Sequence, residues 1–146
     1  MSIQCEHSIE VSVTPDQAFA LIDDLPRTPQ WLGPCTALEK LSSGPNQVGD
    51  KLRYAYLQGG RAGVMDGKIL ERTEGRQLVC QYTDAQMEVV VDLRVSPIPH
   101  GSLLTHQISI TPLTFLSKAM APLIRMALPK QTQEAMTQLK ALLESR

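Results

Sequence analysis

The sequence has few of the residues that carry covalent or metal chemistry. It holds three cysteines (Cys5, Cys35 and Cys80) and three histidines, none in Cys-x-x-Cys, His-x-His or His-Glu-x-x-His spacing. These absences argue against a disulfide framework and a metal site. Glycine-rich phosphate loops and a Gly-x-Ser-x-Gly elbow are also missing. We therefore expect free thiols in a reducing cytoplasm, no cofactor and no serine-hydrolase chemistry.

The chain also lacks a strong charge of either sign. Its formal net charge is −1 over 146 residues, and no basic cluster offsets it, which argues against binding to nucleic acid or acidic membranes. The N-terminus has no charged segment followed by an apolar run, so no signal peptide is predicted. The most apolar stretch, residues 113–128, is too short to span a bilayer and carries Lys118 and Arg125. A cytoplasmic protein without a membrane span is expected.

Alternation of apolar and polar residues predicts strands through most of the chain. In residues 3–13 the odd positions form an apolar face that includes His7. Six further strands are predicted at residues 37–41, 51–58, 61–72, 77–83, 87–95 and 104–110. Within the fourth strand, Gly63 and Gly67 suggest bulges or a close approach of the backbone. Because short turns join these strands, they indicate an antiparallel sheet.

Helical patterns occur at two places. Thr14, Pro15 and Gln17 form a capping-box start for a helix that should end at Pro26, and residues 28–33 repeat that start as a second short helix. The stripe of apolar residues in 113–146 predicts a long C-terminal helix. Pro129 should kink or break it, and Pro122 should begin a new segment. A kinked helix interrupted by Gln131 and Thr132 can roof a cavity.

The chain resembles the SRPBCC superfamily, and more narrowly its polyketide cyclase/dehydrase-like and START/birch-pollen-allergen-like members. The resemblance rests on residues 11–19 (VSVTPDQAF), 29–31 (PQW), 48–50 (VGD) and 138–144 (QLKALLE). It covers the whole chain as a single domain, 1–146. It implies an α+β helix-grip fold, in which a curved seven-stranded antiparallel sheet wraps a long C-terminal helix around a hydrophobic cavity. Similar proteins bind lipids, quinones, hormones or polyketides, and a minority catalyse cyclisation or dehydration.

Two histidines are candidates for chemistry. His7 and His106 lie on the apolar faces of the first and last strands, which the helix-grip topology makes antiparallel neighbours. A register pairing Ile3 with Ile110 would set the two imidazoles side by side toward the cavity, where they could hydrogen-bond a ligand carbonyl or shuttle a proton. The alternative is that they are core histidines satisfied by neighbours, or that one lies in water near the open end of the sheet.

Tyrosine and methionine supply the candidate ligand contacts. Tyrosine hydroxyls can orient a ligand inside an apolar cavity, and thioethers adapt to varied ligand shapes. The predicted ligand-binding residues are Tyr54, Tyr56, Met65, Tyr82, Met87, His106, Met120 and Ile124, with Met126 as a further methionine candidate. The alternative for each is ordinary core packing. Trp31 is expected to close one end of the core.

Three functions fit these features. The first is a carrier or sensor that binds a small hydrophobic molecule, lipid, quinone or polyketide-like, between the sheet and the C-terminal helix. The second is a cyclase or dehydratase with His7 or His106 as acid/base. The third is a protein that docks a partner or a membrane surface through Phe115, Leu116 and Met120. The sequence leaves the choice between monomer and homodimer open.

Overall fold

The computed structural model describes residues 2–145 and contains one seven-stranded antiparallel sheet, two α-helices and a 3₁₀ helix. The strands are β1 (Ile3–Val11), β2 (Cys35–Lys40), β3 (Lys51–Gln58), β4 (Arg61–Thr73), β5 (Gln77–Thr83), β6 (Met87–Ile98) and β7 (Gly101–Pro112). The helices are α1 (Pro15–Asp23), the 3₁₀ helix (Leu25–Gln30) and α2 (Phe115–Glu144). This is the predicted α+β helix-grip architecture.

The sheet has the strand order β1-β7-β6-β5-β4-β3-β2. Successive strands form hairpins except β1, which pairs with β7 at one edge. Their register places Ile3 opposite Ile110 and His7 opposite His106, as predicted. The last hairpin is longer than predicted, because β6 and β7 pair as far as Ile98 and Gly101, whereas the predicted strands ended at residue 95 and began again at residue 104.

The first helix follows the prediction at its start, and the second does not. Thr14 accepts a hydrogen bond from the Gln17 amide, and the Gln17 side chain accepts one from the Thr14 amide, which completes the capping box. However, α1 ends at Asp23, and the 3₁₀ helix begins at Leu25 instead of residue 28. Pro26 therefore lies in the first turn of a helix, where a missing N–H leaves no hydrogen bond unmade.

The long helix α2 is continuous over 30 residues, so the predicted break at Pro129 and the new segment at Pro122 were wrong. A proline removes the bond to the carbonyl four residues earlier, here that of Lys118 or Arg125. Both residues are exposed, so water can take up those carbonyls. No helix in residues 2–145 is long and apolar enough to cross a bilayer.

The core falls into two parts along α2. The C-terminal half of the helix buries Met136 and Leu139 completely, together with α1 and the inner face of the sheet. A smaller cluster of Ile3, Ile110 and Leu128 lies at the other end, with Ile124 packed against it. The candidate site lies between the sheet and this part of α2.

Candidate functional site

The inner face of the sheet encloses a cavity of about 160 Å³. Strands β3 to β7 form its walls, the loop after the 3₁₀ helix closes one side, and Leu128 and Gln131 reach it from α2. The predicted residues that line it are Tyr54, Tyr56, Met65, Tyr82, Met87 and His106. Six of the eight predicted ligand-binding residues are thus brought together around one space.

Three tyrosines form an aromatic wall on one side of the cavity. The rings of Tyr54 and Tyr82 have their centroids 4.8 Å apart, and those of Tyr54 and Tyr56 are 6.3 Å apart. Tyr56 pairs across the sheet with Gly63, and Tyr82 pairs with Gly67.

Gly63 and Gly67 leave space for the rings of Tyr56 and Tyr82, because glycine has no Cβ. A Cβ on Gly67 would come within 2.6 Å of the Tyr82 ring, and one on Gly63 would overlap the Tyr56 hydroxyl. The close approach predicted at both glycines is therefore an approach of tyrosine rings to the bare backbone.

His106 is the buried polar side chain that lines the cavity with nitrogen atoms left unpaired by the described residues. Its side chain is buried, and neither ring nitrogen has a hydrogen-bond partner within residues 2–145. The Trp31 indole packs edge to face against it, with ring centroids 6.4 Å apart and planes 83° apart. The Trp31 Nε1 atom is likewise buried without a partner in that range. Because buried polar groups are nearly always hydrogen-bonded, these atoms mark a place where a ligand or water can bind.

The structure divides the predicted histidine pair. His7 lies directly opposite His106 in register, but it is half-buried and does not line the cavity. The reason is its position on β1, the edge strand of the sheet, while His106 is on β7, one strand further in.

Burial keeps His106, Tyr54 and Tyr82 in the cavity wall neutral, together with Cys35 and Cys80 in the core. It lowers the pKa of His106 to about 4, with a smaller contribution from His7. It also raises the pKa of Cys35 to about 11 and that of Cys80 to about 12, and it raises the pKa of Tyr54 and Tyr82. The imidazole is therefore neutral near pH 7, with one nitrogen that donates a hydrogen bond and one that accepts.

Met120 and Ile124 lie outside the cavity. Met120 is 39% exposed, and Ile124 packs on the small cluster of Ile3, Ile110 and Leu128. Met126, the further methionine candidate, is 79% exposed. The part of α2 that lines the cavity begins at Leu128, so these three residues precede it.

Several cavity residues were missed by the sequence analysis. They include Leu32, Pro34, Val89, Val91, Ile108, Ile110, Leu128 and Gln131. The four on β6 and β7 alternate in phase with Met87 and His106, so the period of two could have identified them. Leu32 and Pro34 lie in a loop and carry no such signal.

A wider, more open cleft adjoins the cavity. It has a volume of about 590 Å³ and lies between the loop around Gly33 and the stretch of α2 from Lys130 to Gln138. Pro34 and Gln131 line both spaces and so stand between them. In residues 2–145 no three His, Cys, Asp or Glu side chains are grouped as metal ligands.

A family model described as polyketide cyclase / dehydrase and lipid transport matches residues 2–144. The chain belongs to this family. It is thus a polyketide cyclase-like member of the SRPBCC superfamily, as its sequence motifs indicated. A comparison with curated proteins finds no match.

Several solved structures share the fold at low sequence identity. A START superfamily protein from Mycobacterium smegmatis is 15% identical, with a TM-score of 0.79 and coverage of 97% of both chains. The Zhui aromatase/cyclase from Streptomyces sp. R1128 is 10% identical, with a TM-score of 0.80 and coverage of 99% of this chain and 94% of that one. A protein from Chromobacterium violaceum is 18% identical, with a TM-score of 0.71 and coverage of 98% and 99%. At these identities the likeness establishes the fold alone.

Proposed function

We propose that this SRPBCC protein binds a small, uncharged ring compound that carries one carbonyl or hydroxyl group. The observation behind the proposal is His106, a buried imidazole without a protein partner for either nitrogen in residues 2–145, set in a cavity lined mainly by tyrosine, methionine and aliphatic side chains. A ligand carbonyl would accept from the N–H nitrogen, and a ligand hydroxyl would donate to the other. Either bond would remove the cost of leaving His106 unpaired.

The size of the cavity narrows the class of ligand. An apolar cavity of about 150 Å³ holds one benzene molecule, and this cavity measures about 160 Å³. A single-ring phenol or quinone therefore fits, whereas a fused polyketide or a lipid chain would extend past Gln131 into the adjoining cleft. Among the ligands expected from the sequence (lipid, quinone or polyketide-like), we therefore expect only those of single-ring size to fit inside the cavity.

The charge state of the cavity favours neutral ligands. Within residues 2–145 no lysine or arginine lines it, Asp84 contributes a carboxylate, and the pKa shifts of His106, Tyr54 and Tyr82 all oppose ionisation. A carboxylate would lose its hydration without gaining a cationic partner, which costs several kcal/mol. Benzoate should therefore be rejected.

The same shifts support binding over catalysis. A general acid or base works best with a pKa near the working pH, and here the pKa of His106 lies at about 4. The second candidate function, a cyclase or dehydratase, draws support from the convergence of His106 and Tyr54 on one cavity. An enzyme would lose turnover but keep ligand affinity in His106→Ala, whereas a carrier would show altered affinity alone.

Isothermal titration with a graded ligand series tests the proposed function. We expect p-cresol to bind more tightly than toluene by roughly three- to tenfold, the worth of one net hydrogen bond. In His106→Leu the preference for p-cresol should be lost or reversed, because its hydroxyl would be buried without a partner, while His7→Leu should keep the preference. The two-ring 2-naphthol should bind more weakly than p-cresol because it exceeds the cavity.

Two results would contradict the proposal. One is saturable binding of 2-naphthol with no binding of p-cresol or toluene, which would indicate a larger ligand space. The other is an unchanged preference for p-cresol in His106→Leu, which would show that His106 does not hydrogen-bond the ligand.

A further inference from the structure

The N-terminal half of α2 carries apolar residues on the face that packs against the sheet and also on an exposed face. We name this exposed surface the α2 patch; it consists of Phe115, Leu116, Met120, Leu123 and Met126, which are 90%, 56%, 39%, 66% and 79% exposed. Large adjoining apolar patches on soluble proteins mark interaction sites.

The patch and the packed face lie on opposite sides of the helix. At about 100° per residue, Ser117, Ile124 and Leu128 fall within one arc, in which Ser117 and Leu128 are buried and Ile124 packs on the cluster with Ile3 and Ile110. The five patch residues occupy an arc of roughly 140° on the other side. The patch is therefore a continuous surface that the fold of this chain leaves uncovered.

The charged residues in the segment of α2 that carries the patch are all basic. Lys118 and Arg125 are one helical repeat of seven apart and border the patch on the same side, and Lys130 follows one turn after Met126. The sequence has no aspartate or glutamate from residue 93 to residue 133. The whole chain has a net charge of −1, so this basic border is a local feature that the overall charge conceals.

We propose that the α2 patch docks on the surface of a membrane that contains anionic lipid. The apolar side chains would enter the boundary between headgroups and acyl chains, and Lys118 and Arg125 would extend to the lipid phosphates. The helix would lie in the plane of the surface, since it is not long and apolar enough to cross. The net charge of the chain argued against binding to acidic membranes. That argument does not consider the local concentration of basic residues beside the patch.

Charge complementarity favours a membrane over a second copy of the chain. In a two-fold dimer built on the patch, the same surface meets itself, so Lys118 and Arg125 of each copy would border one shared interface to which residues 93–133 supply no carboxylate. An anionic lipid surface supplies the missing negative charge. This inference goes beyond the ligand proposal and does not depend on it, although Gln131 at the cavity is about 8 Å along the helix axis from Met126.

Co-sedimentation with lipid vesicles tests the proposal. The vesicles are phosphatidylcholine alone, and phosphatidylcholine with about one-third phosphatidylglycerol. The wild-type protein should bind the anionic vesicles, and less so at high salt. Phe115→Gln/Leu123→Gln/Met126→Gln should weaken that binding by roughly tenfold or more, because it removes the apolar side chains and leaves the charge unchanged.

Matched variants separate the patch from general effects. Val48, Leu57 and Val64 are also exposed apolar residues, at 62%, 52% and 55%, but lie outside α2, so their triple glutamine variant should bind as wild type. Lys118→Gln/Arg125→Gln should lose about fivefold per cation on anionic vesicles. Thermal unfolding should be similar in all variants, since each residue is exposed.

Two outcomes would overturn the proposal. One is wild-type binding to neither vesicle, or equal binding by the wild type and the patch variant. The other is a wild-type dimer in sedimentation analysis that the patch variant converts to a monomer, without vesicle binding, which would make a second copy the occupant of the patch.

Discussion

His7 and His106 face each other across the β1–β7 pair, yet they occupy different environments. His106 is 2% exposed and lines the cavity, while His7 is half-buried at the edge of the sheet. His106, on the second strand of the sheet, is a candidate ligand-binding residue, whereas His7, on the adjacent edge strand, does not line the cavity. This makes His7 a matched control for His106.

Replacing His106 with leucine should stabilise the protein. The imidazole is buried with both nitrogens unpartnered in the described chain, and an unsatisfied buried polar group costs about 1–3 kcal/mol. We therefore expect His106→Leu to raise the free energy of unfolding in urea at pH 7 by roughly 1–2 kcal/mol. His7→Leu should change it less. A clear loss of stability in His106→Leu would show that the imidazole has partners in solution.

Stability should fall as the pH is lowered from 6.5 toward 4. The unfolded chain protonates His106 near its ordinary pKa of 6.5, but the folded protein does so only near 4. In this window the unfolded state binds more protons, which favours unfolding. The expected loss between pH 7 and pH 5 is about 2 kcal/mol.

The control for this pH dependence is His106→Leu. Subtracting its stability profile from that of the wild type leaves the part of the pH dependence that comes from His106. A difference profile that is flat between pH 7 and pH 5 would contradict burial of a neutral imidazole.

Adding a methyl group to Gly67 should destabilise the protein more than adding one to Gly63. The Cβ of alanine at position 67 would lie 2.6 Å from the ring of Tyr82, which is buried, and 3.0 Å from the Gln81 carbonyl oxygen. At position 63 it meets the hydroxyl end of Tyr56, which is half-buried and can turn aside. We expect Gly67→Ala to cost about 1–3 kcal/mol in urea unfolding.

Gly63→Ala should act on binding more than on stability. Displacing Tyr56 alters the aromatic wall of the cavity, so p-cresol affinity should change while the unfolding midpoint moves little. Equal destabilisation by the two alanines would mean that Tyr56 is held as firmly as Tyr82.

The sheet and its register were predictable because side chains alternate with a period of two. That alternation placed His7 and His106 on inner faces, and the family topology made their strands neighbours. Five of the six predicted cavity residues followed from the same phase, whereas Met65 was predicted from the adaptability of its thioether. In contrast, the start of the 3₁₀ helix at Leu25 was missed, because Pro26 fits the first turn of one helix as well as the end of another.

The geometry of α2 could not be read from its sequence. Apolar spacing does not distinguish Ile124, which packs on the sheet, from Leu123, which is 66% exposed. That distinction depends on where the helix crosses the sheet. Phe115, Leu116 and Met120 are exposed, as the docking hypothesis required. The volume of the cavity likewise depends on packing in three dimensions, through the two glycines opposite the tyrosines.

The central claim is that a small neutral ring compound occupies the cavity beside His106. Methionine-methyl NMR during a p-cresol titration tests it most directly, since Met65 and Met87 line the cavity while Met120 and Met126 lie on the exposed α2 patch. We predict saturable shifts of the Met65 and Met87 methyl signals, with Met120 and Met126 unchanged. Shifts confined to Met120 and Met126, or no shift at any methionine, would contradict the account.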